Sequence, residues 1–174
     1  MAGSAFPAPR PVRPGRAGRK ARDAAAQHNM GACYFYGAGV AKDLVQAASW
    51  YRKAADQDYA PAQNLLGQFY YNGTGVAKST VRAVSWFRMA ADQGDAKAQY
   101  NLGYCYANGE GVRMNEVEAY AYWSTAGITD EIARKNLAML RKQMSSGNIS
   151  AGQKRAKELQ KEIDAKIAAK QAGK

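Results

Sequence analysis

Apolar and small residues recur along the middle of the chain with the three- and four-residue spacing of an α-helix. In one segment they are Ala62, Leu66, Phe69 and Tyr70, and matching positions occur 36 residues earlier and 36 residues later. The spacing predicts one helix in each segment. A fixed period of this length predicts a solenoid, in which stacked helical repeats share one continuous core.

A second amphipathic segment follows each of these first helices. Aromatic residues and alanines share its apolar face, which is wide enough to pack against two neighbours. The second helices are expected to begin after three N-capping residues, namely Asp43, Ser79 and Asn115. They are expected to end near Gln57, Gln93 and Gly127. Each repeat is therefore predicted to be a helix-turn-helix unit.

Glycines mark two further positions in every repeat. One lies inside the first helix, at Gly31, Gly67 and Gly103. Glycine inside a helix costs about 1 kcal/mol relative to alanine. Its recurrence at this position therefore predicts close approach of a neighbouring helix. The other is a Gly-x-Gly pair between the helices, which is typical of a helix-ending turn. A phosphate-binding loop is not indicated, because no strand precedes the pair and no Gly-Lys-Ser/Thr follows it.

The periodicity is confined to residues 24–128, which divide into repeats at about 24–59, 60–95 and 96–128. Residues 1–23 are rich in proline and arginine and are predicted to be a disordered basic leader. Residues 129–174 are predicted to be a helical pair that caps the array. Its helices are expected at 129–144 and 150–172, with a capping box at Ser150 and Gln153 and a turn at 145–148.

The formal charge of +11 is concentrated at the two ends of the chain. It amounts to +5 over residues 1–23, zero over 24–128 and +6 over 129–174. Nucleic-acid binding normally places Lys and Arg on the folded face that follows the phosphates, so this distribution weakens that hypothesis for the repeats. An anionic membrane or nucleic acid remains a possible partner of the basic ends.

The two cysteines, Cys33 and Cys105, occupy the same position two repeats apart. The advance of a stacked helical pair would place them too far apart for a disulfide bond, so we expect two small buried apolar residues. No stretch is long and apolar enough for a membrane span, and the first residues lack the apolar run of a secretory signal. The default expectation is a cytoplasmic protein, or an exported one if a leader is missing.

These motifs resemble the Sel-one-like repeat family, a relative of the tetratricopeptide repeats. The resemblance rests on the pattern Ala-x-x-x-Leu-Gly-x-x-Tyr-x-x-Gly-x-Gly-Val followed by Ala-x-x-Trp-Tyr-x-Lys-Ala-Ala, which residues 62–91 match well. It implies an all-α fold, a right-handed α/α superhelical solenoid with the first helices on its concave face. It also implies an adaptor or scaffold in multiprotein complexes, and it names no partner.

Positions of the first helices that are not committed to packing should form a ladder across the concave face. Tyrosine is favoured at interface hot spots, and asparagine is an adaptable contact residue. We therefore predict a site for a protein or peptide partner, with no cofactor, metal or small-molecule substrate. The candidate contact residues are His28, Phe35, Asn64, Gln68, Tyr71, Tyr100 and Tyr104.

Three alternatives remain open beside this hypothesis. Electrostatic docking to an anionic surface would use the basic ends and leave the repeats as a spacer. A hydrolase activity is implied by a cysteine-rich branch of the family, but that branch has paired cysteines, and His28 and Cys33 should point to different faces of one helix. We therefore predict no enzyme. A homodimer through the N-terminal edge is the third alternative.

Overall fold

The computed structural model describes residues 16–173, and their side chains from residue 23 onwards. Eight α-helices and no strand occur in this part of the chain, which confirms the all-α prediction. The helices are α1 (Arg16–Tyr36), α2 (Leu44–Ala55), α3 (Ala60–Asn72), α4 (Thr80–Ala91), α5 (Ala96–Asn108), α6 (Glu116–Ala126), α7 (Glu131–Gln143) and α8 (Ser146–Ala172).

Three helical pairs form the body of the molecule. The pairs α1/α2, α3/α4 and α5/α6 each pack as one repeat, and each second helix also packs against the first helix of the next repeat. The shared core contains fully buried residues from successive repeats, among them Leu66, Phe87 and Leu102. The predicted solenoid is therefore confirmed.

The local signals at the helix ends function as the sequence indicated. The side chains of Asp43, Ser79 and Asn115 accept hydrogen bonds from backbone N–H groups in the first turn of the second helices. Gly73 and Gly109 end α3 and α5 in the left-handed conformation, with φ of 74° and 71°. The second helices end at Ala55, Ala91 and Ala126, one or two residues earlier than predicted.

The helix-interior glycines face aromatic rings of the second helix in the same repeat. A Cβ atom added to Gly67 would lie 2.6 Å from two ring carbons of Phe87. The matching contacts are Gly31 with Tyr51 and Gly103 with Trp123. Close helix approach, predicted from the recurrence of these glycines, is therefore confirmed as contact between a glycine and a ring.

The second glycine of the turn joins neighbouring repeats at two of its three occurrences. A Cβ atom on Gly75 would collide with the backbone carbonyl of Leu44, and one on Gly111 with that of Thr80. Gly39 is also in the left-handed conformation, with a φ of 75°. No atom in the described part of the chain lies within 4 Å of its Cβ position. Gly39 belongs to the first repeat, whose outer edge no described repeat covers.

The first helix is longer than predicted. Residues 1–15 of the predicted disordered leader lie outside the described residues, whereas α1 already begins at Arg16. The prediction of disorder up to residue 23 is therefore wrong for residues 16–23. The outer face of α1 is partly open, because Met30 is 37% exposed while its equivalents Leu66 and Leu102 are buried. Cys33 is likewise only half-buried, and both cysteines are free, as expected.

The C-terminal helical pair differs from the prediction in its turn and its packing. The capping residue of α8 is Ser145, whose hydroxyl accepts a hydrogen bond from the Asn148 N–H, and Ser150 lies inside the helix. The predicted turn at 145–148 is wrong, because α8 already begins at Ser146. α8 packs mainly on α6, where Gly152 lies against the ring of Tyr120.

The cap extends well beyond the last repeat. α8 buries Leu159 and Ile163 in the shared core, and its Ile167 lies near Gly94 at the turn between α4 and α5. Lys166 pairs with Asp92, with 2.8 Å between Nζ and Oδ2, and Lys170 pairs with Asp58. α8 therefore crosses from α6 to the ends of α4 and α2 and covers one side of the array.

Candidate functional site

The candidate site lies on the side of the array formed by α1, α3 and α5. Two neighbouring clefts open there, one between α1 and α3 and the other between α3 and α5. Gln68 and Asn72 of α3 line both clefts, so the two form one groove. We call this surface of α1, α3 and α5 the first-helix groove. The C-terminal helix α8 crosses other elements of the array.

The cleft between α1 and α3 has a volume of about 250 Å³. His28 and Phe35 of α1 line it together with Gln68 of α3. The Phe35 ring packs against Phe69 at its floor, with the ring centroids 5.7 Å apart. Lys42 Nζ lies 5.9 Å from the Phe35 centroid, within the range of a cation–π interaction. This end of the groove is mainly aromatic.

His28 is held by rings on its inner side. Its imidazole centroid lies 5.4 Å from those of both Tyr51 and Tyr59. Its Nδ1 atom is buried and has no hydrogen-bond partner among the described residues. Burial lowers the pKa of His28 from its usual 6.5, because the charged form loses hydration. His28 therefore contributes a neutral aromatic surface to the groove.

The cleft between α3 and α5 is larger, with a volume of about 370 Å³. Its lining combines phenol and amide groups with a partly apolar floor. The residues on it are Gln68, Tyr71, Asn72, Phe87, Tyr100, Asn101, Tyr104 and Cys105. Tyr104 is 38% exposed, whereas Tyr71 and Tyr100 are half-buried, so Tyr104 is the most accessible of the three predicted tyrosines. This cleft offers hydrogen-bond donors and acceptors beside aromatic faces.

Tyr71 is fixed in place by the third repeat. Its hydroxyl donates a hydrogen bond to a carboxylate oxygen of Glu110, in the Gly-x-Gly turn after α5. Burial and this hydrogen bond raise the pKa of Tyr71, because both disfavour the phenolate. The Tyr71 ring meets Tyr104 edge to face, with the centroids 6.4 Å apart. The pair forms a preorganised aromatic wall of the cleft.

Tyr100 stands at the far end of the same cleft. Its backbone carbonyl accepts a hydrogen bond of 3.0 Å from the Trp123 indole N–H. Its hydroxyl lies 3.5 Å from Nδ2 of Asn136 in α7, so the divergent helix after the third repeat also contacts the groove. The sequence patterns gave no indication that α7 would reach this residue.

Asn64 does not belong to the open surface. The sequence placed it among the uncommitted positions, but it is only 3% exposed. Its Oδ1 atom accepts a hydrogen bond of 2.9 Å from Nδ2 of Asn101. The reason is the close approach of α3 and α5 at this level, which turns an outward position into a contact between repeats. Asn101, which the sequence analysis missed, lines the cleft in its place.

The chemistry of the groove favours binding. Cys105 at the floor is buried, and burial raises the pKa of its thiol to about 12, so the thiol stays protonated near neutral pH. Within residues 23–173, no three His, Cys, Asp or Glu side chains lie close enough together to hold a metal ion. None of the helices at 16–173 has the combination of length and apolar character that a membrane crossing requires.

This architecture defines a helical repeat protein with an open groove. A family profile described as Sel1 repeat matches residues 24–59, 60–95 and 96–127. The chain belongs to the Sel1 repeat family.

Solved structures support the same assignment. The chain is 37% identical to a Sel1 repeat protein from Oxalobacter formigenes, with a TM-score of 0.68, over 75% of this chain and 52% of the other. It is 32% identical to c5321, a protective antigen of uropathogenic Escherichia coli strains with the same fold. In that case the TM-score is 0.75, over 87% of this chain and 33% of the other. This chain thus spans about half the length of the first of these proteins and about a third of the second. None of the curated proteins matches it significantly.

Proposed function

We propose that the protein is a scaffold that binds a segment of a partner protein in the first-helix groove. Membership of the Sel1 repeat family suggests a protein-interaction scaffold in general terms. The observation that supports the groove in particular is its continuity, because Gln68 and Asn72 join two clefts into one surface across three first helices. An extended or helical segment of a partner could contact both clefts at once.

The side chains of the groove suit such a partner. Tyrosines offer a large contact area with few rotatable bonds, and amide groups pair with an exposed peptide backbone. Tyr71 and Tyr104 are already arranged edge to face, which reduces the entropy lost on binding. Six of the seven predicted contact residues line the groove, and their role in binding is part of this proposal.

Two other functions receive less support. A hydrolase of the cysteine-rich type would need a reactive thiol or paired cysteines, whereas both cysteines here are free and Cys105 is kept protonated by burial. Electrostatic docking through the C-terminal helix is weakened because Lys166 and Lys170 already pair with aspartates of the repeats. Residues 1–15 of the basic leader lie outside the described part of the chain.

The test uses peptides selected from a displayed library on the immobilised full chain. Their affinity is then measured for the wild type and for the variants Tyr104→Ala and Gln68→Ala. We expect both variants to lose at least tenfold in peptide affinity, about 1.4 kcal/mol. A tyrosine at the centre of a binding surface is a typical hot spot.

The control is Met139→Ala, which removes a side chain that is 57% exposed on α7 and does not line the groove. Circular dichroism verifies that all variants remain helical. Selected peptides that bind the wild type and both groove variants equally well would contradict the proposal.

A further inference from the structure

Two arginines share one tyrosine ring at the junction of the first and second repeats. Arg52 of α2 donates a hydrogen bond of 2.6 Å from Nη2 to the Tyr70 hydroxyl. Its guanidinium carbon lies 5.9 Å from the Tyr70 centroid and 5.7 Å from that of Trp86. Arg82 of α4 lies 5.6 Å from the same Tyr70 centroid. Two positive charges are thus gathered around a single side chain.

No carboxylate of the described residues forms an ion pair with either guanidinium. The ion pairs in this part of the chain engage other cations, among them Lys166 and Lys170 of α8. Both Arg52 and Arg82 are exposed. The two guanidinium carbons lie 5.9 and 5.6 Å from the same ring centroid, and an external anion would lower the positive potential that they create there. The arrangement is therefore one that an external anion would stabilise.

The next junction shows the same arrangement with its charge compensated. Thirty-six residues further on, Arg88 donates a hydrogen bond of 2.8 Å to the Tyr106 hydroxyl, as Arg52 does to Tyr70. The position of Arg82 is taken there by Glu118. The Glu118 carboxylate lies 2.9 Å from Nε of Arg155 in α8. At the junction of the second and third repeats, the fold therefore accommodates an ion pair between a carboxylate and a guanidinium.

We infer that Arg52 of α2 and Arg82 of α4, which do not line the first-helix groove, form a second binding site for a carboxylate or phosphate group of an acidic protein segment. A guanidinium presents five N–H donors in a planar fork that matches either anion. Arg52 uses one of its nitrogens for the Tyr70 hydroxyl, which orients the rest of the fork. The half-buried Trp86 ring beside it offers an apolar contact to the same segment.

A short acidic segment fits this site better than a nucleic acid. A nucleic-acid backbone carries regularly spaced phosphates and needs a continuous basic track. Here the track ends within one repeat, because Glu118 occupies the next equivalent position and Glu162 of α8 lies on the other side of Arg155. A chain of phosphates following the second helices would meet these carboxylates.

The experiment measures binding to the full chain by fluorescence anisotropy. The probes are a short glutamate-rich peptide, the same peptide with phosphoserines in place of the glutamates, and a single-stranded oligonucleotide of equal charge. The variants are Arg82→Glu, which copies the charge at Glu118, and Arg52→Gln. The control is Lys161→Glu, which changes the net charge by the same amount as Arg82→Glu on an exposed position of α8.

We expect at least a tenfold loss of peptide affinity for both arginine variants and less than about a twofold loss for the control. The preferred peptide then shows whether carboxylate or phosphate is the better ligand. Circular dichroism verifies folding, and Arg82→Gln replaces Arg82→Glu if the latter unfolds. The inference is overturned if neither peptide binds, or if the control variant loses as much peptide affinity as the arginine variants. It is also overturned if the oligonucleotide binds more tightly than both peptides and the Arg82 variant no longer binds it.

Discussion

Gly67 of α3 lies directly beneath the aromatic ring of Phe87 of α4, and there is no space for a methyl group between them. A Cβ atom at this position would lie 2.6 Å from the ring carbons Cδ1 and Cε1. Phe87 is only 2% exposed, so the ring has little freedom to move away. The contact explains why glycine stands at a helix-interior position where alanine would be a better helix former.

Replacing Gly67 by alanine should therefore destabilise the protein although it improves helix propensity. Overpacking of a closely packed core typically costs about 1 to 3 kcal/mol. A contact of 2.6 Å with a buried ring belongs to the upper part of that range, which exceeds the gain of about 1 kcal/mol in propensity. The free energy of unfolding in urea measures the balance. The matched control is Gly147→Ala in the first turn of α8, where the nearest atom lies 3.9 Å from the added Cβ. Gly147→Ala should leave stability unchanged or increase it, and equal losses at both sites would contradict this explanation.

The turn glycines provide a second matched pair. Gly39 and Gly75 both have positive φ, 75° and 66°, so alanine is strained at either site, at a cost of about 1 to 3 kcal/mol. Only at Gly75 would the new methyl group also collide with the Leu44 carbonyl of the preceding repeat. We expect Gly75→Ala to be the more destabilising by at least about 1 kcal/mol.

Thermal unfolding of the two variants under the same conditions makes this comparison. Gly39→Ala reports the conformational strain alone, because its Cβ position is open among the described residues. If Gly39→Ala lowers the unfolding temperature as much as Gly75→Ala, then the contact between repeats is not what the glycine provides.

We expect the single histidine to make the stability of the protein sensitive to mild acid. Burial lowers the pKa of His28 in the folded state, so the unfolded chain binds a proton at a higher pH than the folded one. The contribution of the neutral His28 imidazole to the free energy of unfolding is therefore fully present above about pH 6.5, the ordinary histidine pKa. This contribution declines as the pH falls below that value.

The variant His28→Phe keeps an aromatic ring beside Tyr51 and Tyr59 and removes the titratable group. Urea unfolding at about pH 7.5 and about pH 5.5 should show a loss of stability on acidification in the wild type and a smaller loss in the variant. An identical loss in both proteins would place the acid sensitivity elsewhere. Since the chain has one histidine, no other imidazole can produce the difference.

The sequence predicted the repeated elements well because their signals are local. The N-caps at Ser79 and Asn115 act through side-chain hydrogen bonds to backbone groups two or three residues away. The left-handed glycines at Gly73 and Gly109 likewise depend on the conformation of a single residue. Such features require no knowledge of the rest of the fold, and their recurrence in three copies strengthens each prediction.

The groove was predicted only in outline. Helical spacing indicated which positions of α1, α3 and α5 point away from the core, and six of the seven chosen residues line the two clefts. Asn64 differs because the distance and angle between α3 and α5 decide whether an outward position is exposed or meets the next helix. The contact of Asn136 with Tyr100 depends in the same way on where α7 lies.

The sequence by itself determined the three stacked repeats and the caps of their second helices, because a 36-residue period with fixed glycine and aromatic positions makes each unit bury its apolar face in the same way. Only the tertiary structure decided where α8 packs. In the sequence, Ala156, Leu159, Ile163 and Ile167 form a narrow apolar stripe on this helix. Such a stripe specifies that a helix needs a partner surface and does not identify that surface. The fit of Gly152 against Tyr120 and the pairing of Lys166 with Asp92 direct α8 back across the array, and these contacts join residues that are distant in sequence.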